Sequence, residues 1–478
     1  MEVKMILPKQ VERIISTLNN CGYEAFAVGG CVRDSLSKKK PNDFDICTSA
    51  TPSEMKSVFK QNQMKTYDTG IKHGTISVRC NGELYEITTY RIDGEYADGR
   101  HPNEVVFTKD VKEDLARRDF TINAMAYNHK DGLVDPFDGE SDLKSGIVRC
   151  VGDPTDRFHE DALRILRAIR FAIRFNFDIE ENTAKSLLMN RKLLTNISAE
   201  RKADELIKIL MDLNQQNMHL MLDYKEVFAE IIPELRESFD FDQHSDWHDY
   251  DVYKHLIMTV ANSKKDEKIR LAAFLHDIAK PRVATFDADG HGHFKNHAAA
   301  GSKMSEKILR TLKMDNDTIK SVRTMIAYHT PMEGLYKPNI KRWMRDIGVD
   351  ETKRCLELIY ADTMSRKPEE KLREPVDELD AVLSPECYMK KHAKEVKNAF
   401  KTIDEILNKK ECFDLKGLAV NGKDLVNAGL NPGKEMGEIL DSLLERVIVN
   451  PNLNKKQYLI ELAKIRYEVI QERKNKEN

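Results

Sequence analysis

Apolar residues fall along the chain in runs of different spacing, and each kind of run predicts a different element. A helix is expected from Pro8 to Asn19, leading to a short strand over Glu24 to Val28. Phe44, Ile46 and Cys47 follow the turn signal Pro41-Asn42 and predict a strand from Asp43 to Cys47. Thr75 to Cys80 and Glu83 to Tyr90 flank Asn81-Gly82, a type I′ hairpin signal. Residues 1–140 therefore read as a compact α/β region. From 141 to 230 the pattern turns helical: Leu163, Ile165, Leu166, Ile169 and Ala172 give one apolar face to a long helix, capped by Thr155 or Asp156 and running through Arg174. Residues 231–365 carry further helix-like segments, among them Tyr253 to Val260, Leu271 to Leu275 and Leu356 to Ala361. After the charged linker Ser365 to Lys371, residues 366–478 read as helices punctuated by Gly422, Gly429 and Asn431-Pro432-Gly433.

Composition narrows the class. A chain of 478 residues allows three or four domains, and 41% hydrophobic with 32% charged residues fits folded cores under a soluble surface. The net charge is only -3, so a nucleic-acid site has to be a local basic patch. No run of eighteen apolar residues predicts a membrane helix, and Met1-Glu2-Val3-Lys4 opens no signal peptide. The eight cysteines form no C-x-x-C pairs, which argues for reduced thiols in a cytoplasm and against a zinc ribbon.

The chemistry begins at Asp43-Phe44-Asp45, just after Gly29-Gly30-Cys31-Val32-Arg33-Asp34. On a strand, two carboxylates one residue apart share a face and can hold a pair of Mg²⁺ ions on a nucleoside triphosphate. Gly29-Gly30 lets backbone approach phosphates, and Arg33 can reach them. Glu86, on the second hairpin strand, is either a surface cross-strand partner or a third acidic group beside that pair. Tyr96 to Pro102 reads as a mobile loop. Asp119 or Thr121 is expected to cap a helix behind Arg117-Arg118, two cations suited to phosphate oxygens. Arg164, Arg167, Arg170 and Arg174 line one face of the long helix. Asp161 and Arg164, at i and i+3, can pair with each other and offer acceptor and donor edges to a base.

Eight of the fourteen histidines lie between 231 and 365. His255, His276-Asp277 and Asp362 form a sparse ligand pattern with His297 and His329 between them. Imidazole with carboxylate suits a hydrolytic divalent-metal centre.

These motifs resemble the class II tRNA nucleotidyltransferases, the family of CCA-adding enzymes and bacterial poly(A) polymerases, and in particular the bacterial members with an HD phosphohydrolase-type domain. The resemblance is carried by GGCVRD, DFDICTSATP, DGRHP, RRDFTINAMA, EDALRILRAIRF, SAERKADEL and NGKDLVNAGLNPGKEMGEIL, in that order. It implies an α+β chain: a mixed-sheet catalytic head (1–140), a helical nucleotide-recognition neck (141–230), a helical HD body (231–365) and a tRNA-binding tail (366–478). Asp43 and Asp45 become Mg²⁺ ligands; Glu86, by its strand position and not by the resemblance, is expected to join the catalytic set. Gly30, Arg33 and Arg118 become triphosphate and ribose contacts. Asp161, Arg164, Arg167 and Arg170 become the base-reading positions. The implied reaction is untemplated addition of C, C and A from CTP and ATP to a tRNA 3′ end. The 3′-hydroxyl attacks the α-phosphate in line and pyrophosphate leaves, with two metals stabilising charge. A second divalent metal, Ni²⁺, Mn²⁺ or Mg²⁺, would sit at His255, His276, Asp277 and Asp362. A-adding and poly(A)-synthesising relatives share most of these motifs, and an HD phosphohydrolase with an accessory nucleotide-binding head is the reading from another class. The expected location is cytoplasmic, without a membrane partner.

Overall fold

The computed structural model describes residues 5–93, 105–245, 247–331, 334–367 and 385–477. The expected Tyr96–Pro102 loop and the linker beyond Lys367 lie outside them. The chain divides into two units, residues 1–236 and 237–478.

The first unit opens with α1 (Lys9–Asn20), β1 (Ala25–Val28), α2 (Gly30–Leu36), β2 (Ile46–Thr48), α3 (Pro52–Gln61), β3 (Lys65–Gly70), β4 (Thr75–Cys80) and β5 (Glu83–Thr89). In α1, Val11, Ile14, Ile15 and Leu18 recur at i, i+3, i+4 and i+7 and are all buried. They pack on Ala25, Ala27, Ile46, Ile76 and Ile87 of the sheet, so Ile14→Ala would cost about 2–5 kcal/mol. Thr51 and Glu54 close a capping box at the start of α3, with Pro52 at the first helical position. Asn81 and Gly82 have φ of 50° and 92°, as the expected type I′ turn requires.

After the short pair β6 (Arg91–Asp93) and β7 (Val105–Phe107) come α4 (Val111–Ala116), β8 (Ala126–Asn128), β9 (Gly132–Val134) and α5 (Gly139–Ser145). The seven-stranded sheet has the order β3-β4-β5-β2-β1-β8-β9. It is mixed: β2 runs parallel to β5, with Ile46 opposite Ile87, while β1 is antiparallel to β2 and β8. Helical structure then dominates the unit, through α6 (Pro154–Glu160), α7 (Leu163–Phe175), α8 (Glu181–Asn190), α9 (Ala199–Asp212), α10 (His219–Asp223) and α11 (Lys225–Ile231). A two-residue parallel pair, β10 (Ile147–Val148) and β11 (Asp178–Ile179), accompanies them.

Three local expectations are corrected. The strand after Pro41 starts at Ile46, not Asp43, so Asp43 and Asp45 sit on extended chain at its mouth. Val28 N–H donates to the Asp45 carbonyl (3.0 Å), so the chain is held to β1 through its backbone there while both side chains are exposed. Behind Arg118 there is no α-helix, only a single 3₁₀ turn, Thr121–Asn123; Asp119 bonds the Phe120 N–H at 2.9 Å and caps nothing. The long helix to Arg174 is two helices. Asp153, rather than Thr155 or Asp156, caps α6 through the Thr155 N–H at 2.7 Å. Asp161 then leaves helical geometry (φ −148°, ψ 102°), and its carboxylate accepts the Leu163 N–H at 3.0 Å. A short acceptor that caps the next helix competes with the backbone ladder and ends the first one.

The second unit contains α12 (Val252–Asn262), α13 (Glu267–Leu275), α14 (Lys280–Val283), the hairpin β12 (Thr285–Phe286) with β13 (Gly292–His293), α15 (His297–Thr311), α16 (Asn316–Tyr328), α17 (Lys337–Ile347) and α18 (Val349–Met364). Helices α12, α13, α16 and α18 pack against one another, and α15 lies along α16. The chain ends with α19 (Pro385–Asn408), α20 (Gly422–Asn427), α21 (Glu435–Val449) and α22 (Lys456–Glu477). Gly429, just past α20, has φ of 95°, and Leu425, Ile439, Leu443 and Leu459 share a buried cluster. No described helix is long and apolar enough to cross a membrane.

Candidate functional site

In the first unit the sheet presents its acidic residues at one end. Ile46 pairs with Ile87, which sets Asp45 beside Glu86. The Asp45 carboxyl is held above its ordinary range by partial desolvation, then by Asp43 and Glu86, while Arg118 opposes them. Among the described residues, Asp43, Asp45 and Glu86 do not draw their oxygens within 4.8 Å of one another as a closed ligand set would. Three like charges hold each other apart, and a divalent cation is the group whose charge such carboxylates fit.

Gly29 and Gly30 join β1 to α2. Gly29 has φ 78° and ψ −126°, and a Cβ there would meet Arg118 Nη1 at 2.8 Å. The missing side chain is thus space that the Arg118 guanidinium occupies, and its positive charge opposes the acidic surroundings of Asp45. Asp114, buried at the end of α4, holds Arg117 (2.9 Å) and Arg118 (3.4 Å). Arg33 is buried, bonded to Asn123 and to Asp34 (2.8 Å), and lies 4.7 Å from the Phe175 ring centre. The structure thus spends Arg33 on bracing α2 against α7, rather than presenting a bare fork.

Arginines of α6 and α7 brace the segment that bears Arg118. Arg164 pairs with Glu160 and donates to the Arg117 carbonyl at 3.0 Å, and Arg157 donates to the Ala116 carbonyl at 3.0 Å. Arg167 makes two bonds to Asp119 Oδ2, at 2.9 and 2.6 Å. Burial alone would raise the Asp119 carboxyl; Arg167 and Asn123 outweigh it and hold it below its usual range. Arg170 pairs with buried Glu205 at 2.9 Å, and Arg174 is exposed. The expected Asp161–Arg164 pair does not form, because the helix break turns Asp161 toward Arg201 (2.7 Å) and leaves Arg164 to Glu160. Arg201 and Glu205 both come from SAERKADEL, a motif whose sequence assigns no role to either residue. Asp114 carried no signal beyond being one acid among many.

The second unit gathers His255 (α12), His276-Asp277 (after α13), His297 (first residue of α15), His329 (after α16) and Asp362 (α18). All but half-buried His297 are buried. His255 Nε2 lies 3.2 Å from His276 Nε2 and 3.1 Å from Asp362 Oδ1, and both imidazoles face Asp277 Oδ2 at 3.5 and 3.3 Å. The other oxygen, Asp277 Oδ1, faces His297 (3.4 Å) and His329 (3.6 Å), whose Nε2 atoms are 3.2 Å apart. Asp277 therefore bridges two ligand groups. Each Nδ1 sits against a backbone carbonyl: Ser365 (3.3 Å), Ala273 (2.9 Å), Phe294 (2.7 Å) and Ile326 (2.6 Å) for His255, His276, His297 and His329. A carbonyl only accepts, so each Nδ1 carries the proton and each Nε2 turns a lone pair inward. Lone pairs 3.2 Å apart call for a cation between them, and Asp277 Oδ1 is a buried oxygen without a hydrogen-bond partner. The residues fit a divalent metal at each position. Asp277 is held well below the usual carboxylate range: burial raises it, but Lys280 and His276 outweigh that. Asp362 is likewise held low by Arg366, at 2.7 Å, and His255. A cavity of about 310 Å³ opens over this centre, lined by Trp247, His248, Lys280, Phe294, Thr330 and Arg366 among others. A third ligand-type group, Asp287, Asp289 and His291, is fully exposed on the β12–β13 hairpin.

Residues 25–149 match the family model described as the poly A polymerase head domain. Residues 176–239 match a probable RNA- and SrmB-binding site of polymerase A, and residues 297–463 a putative tRNA nucleotidyltransferase domain 2. The chain is 32% identical over 470 residues to the CCA-adding enzyme of Ligilactobacillus salivarius, covering 97% of this chain and 96% of that one. It is 48% identical over 208 residues to the CCA-adding enzyme of Pediococcus pentosaceus, 43% of this chain and 52% of that one. Its fold is similar to that of the Bacillus stearothermophilus CCA-adding enzyme solved in complex with CTP, with a TM-score of 0.64 at 24% identity over 98% of this chain and all of that one. It is also similar in fold to the Thermotoga maritima CCA-adding enzyme complexed with tRNA, with a TM-score of 0.55 at 22% identity over 96% of each chain.

Proposed function

The chain belongs to the CCA-adding enzyme family of nucleotidyltransferases, and from that premise we propose that it extends tRNA 3′ ends by C, C and A from CTP and ATP without a nucleic-acid template. One observation carries the assignment: the Arg118 guanidinium fills the space left bare by Gly29, where its charge offsets the acidic group at Asp45, while arginines of α6 and α7 brace the Ala116–Asp119 segment behind it. Arg118 neutralises phosphate charge. Gly29-Gly30 admits the triphosphate close to backbone. The α7 arginines hold that cation in place, with Arg164 and Asp161 at the base edge. Asp43 and Asp45, with Glu86 beside them, would hold divalent metal, which would supply charge stabilisation for the attacking and leaving oxygens. The test is Asp45→Ala: labelled CTP incorporation should vanish while tRNA binding persists, and near-wild-type incorporation by this variant refutes the assignment.

A second reading is favoured by the bridged ligand groups at Asp277. The second unit is an HD-type phosphohydrolase, taking a phosphate ester or cyclic phosphate at the centre built from His255, His276, Asp277, Asp362, His297 and His329. Those residues would hold divalent metal, which would supply Lewis acidity, and Lys280 and Arg366 add positive charge to the same cavity. The double variant His276→Ala/Asp277→Ala should lose Mn²⁺ binding and phosphohydrolysis and keep tRNA extension. A wild type that binds no metal and hydrolyses no phosphate ester removes this reading.

A further inference from the structure

We infer that Lys39, Arg174 and Lys208 form a basic strip on the first unit that takes successive phosphates of the tRNA strand being extended. The inference rests on the tRNA-extension reading above and names a surface that holds the primer strand. The three cations come from three segments: Lys39 lies three residues past α2, Arg174 stands near the end of α7, and Lys208 is on α9. All three are exposed. Lys39 Nζ and the Arg174 guanidinium lie 5.3 and 5.6 Å from the centre of one ring, that of Phe175, which sets the chain after α2 beside the end of α7. On its other side Arg174 shares a cavity of about 390 Å³ with Lys208, lined also by Arg170, Ile207, Met211 and Asp212.

The charge of this strip is left open. Other surface lysines of the same unit are neutralised locally, Lys56 by Asp68 and Lys144 by Glu140, both at 2.7 Å, and Lys185 by Glu181. Lys39 and Arg174 pair with no carboxylate among the described residues, although Arg33 brings a further cation to 4.7 Å from the same Phe175 ring. Glu205 is buried and divided between Arg170 at 2.9 Å and Lys208 at 3.3 Å, and Asp212 is the one acid in the cavity lining. Cations gathered with so few counter-charges attract a polyanion. A single small anion is best held by donors that converge on one point, whereas these stand on separate segments and suit a backbone with one charge per nucleotide. Ile207 and Met211, half-buried in the same cavity, give a ribose ring an apolar surface to rest on. The strip is also within reach of the reaction. Arg164, which holds the Arg117 carbonyl beside Arg118, lies ten residues before Arg174 on α7, or about 15 Å along the helix at about 1.5 Å per residue. A strand whose 3′ end reaches Asp45 has phosphates at that distance only a few nucleotides upstream.

The experiment uses the full chain and a tRNA transcript lacking CCA. Affinity is measured against KCl concentration by fluorescence anisotropy, and CTP incorporation is followed on the same preparations. Each of Lys39→Gln, Arg174→Gln and Lys208→Gln should lower the slope of log K against log[salt] by about 0.7–0.9, and the triple variant by about 2. The triple variant should raise KM for tRNA and leave KM for CTP unchanged. The charge-keeping triple variant Lys39→Arg/Arg174→Lys/Lys208→Arg should retain the wild-type slope, which a role in packing would not predict. Lys144→Gln/Lys185→Gln, which removes two paired lysines of the same unit, should leave the slope unchanged. The contact is located with transcripts that carry one neutral methylphosphonate in the acceptor strand. At a position near the 3′ end the neutral linkage should weaken binding by the wild type and not weaken the Gln triple variant further. Tight binding with the wild-type slope by the Gln triple variant, equal slope losses in Lys144→Gln/Lys185→Gln, or additive losses at every methylphosphonate position overturns the strip and leaves the tRNA-extension reading standing. A wild type that neither binds nor extends the transcript overturns that reading and this inference together.

Discussion

Gly29→Ala tests whether the arrangement around Arg118 is the working part of the head. Gly29 has φ 78° and ψ −126°, a region nearly closed to residues with a Cβ, and forcing Ala there costs about 1–3 kcal/mol. The new methyl would lie 2.8 Å from Arg118 Nη1, against a normal separation near ~3.5 Å, so the guanidinium has to move by roughly 0.7 Å. Asp114 holds Arg118 at 3.4 Å and Arg117 at 2.9 Å, so the displaced group stays tethered rather than swinging freely. A shift approaching 1 Å in a phosphate-neutralising cation costs on the order of 100-fold in rate, or about 2.7 kcal/mol of transition-state stabilisation. The assay is single-turnover CTP incorporation on a tRNA lacking CCA, with a urea unfolding curve on the same preparation. Gly22→Ala is the control: Gly22 also has positive φ (+87°), but nothing lies within 4 Å of its built Cβ, so it should lose stability and keep its rate. The double variant Gly29→Ala/Arg118→Ala should be no slower than Arg118→Ala alone, because the glycine acts through the arginine. A folded Gly29→Ala protein with wild-type rate, or additive losses in the double variant, would refute the reasoning.

Two further outcomes are expected. Arg164→Ala should raise misincorporation of UTP and GTP on a tRNA primer about tenfold or more while the protein stays folded, and unchanged selectivity would make Arg164 a bracing residue alone. Asp119→Asn should lower stability at pH 7 by about 3 kcal/mol, the low end for breaking a buried ion pair. Because the Asp119 carboxyl is held below its unfolded value of about 3.9, its contribution is present above that pH and lost as pH falls through the folded value. Urea midpoints measured from pH 7 to 3 should thus converge for wild type and variant at the acid end, and parallel curves would contradict the pairing.

The periodic parts of the fold are legible in sequence because burial repeats there. The apolar stripe of α1 and the Asn81-Gly82 turn each satisfy a local rule, and the structure follows it. The break at Asp161 was not legible, since residues 155–174 keep helical spacing on both sides of it. Only the capping bond from Asp161 to Leu163 N–H separates two helices from one. The same break decides the partners of Asp161 and Arg164, so a pair allowed by spacing gives way to pairs made across the chain with Arg201 and Glu160. At the histidine cluster the residue types were readable but the geometry was not. That Asp277 faces two imidazole pairs depends on four separate segments meeting in space.

The central claim is met most directly by purifying the full chain and incubating it with Mg²⁺, CTP, ATP and a tRNA transcript ending at the position before CCA, then sequencing the extended 3′ ends. The account predicts products ending in CCA that stop after three additions, with CTP alone giving CC. A tail of A residues, addition of A only to transcripts that already end in CC, or no extension at all would contradict it.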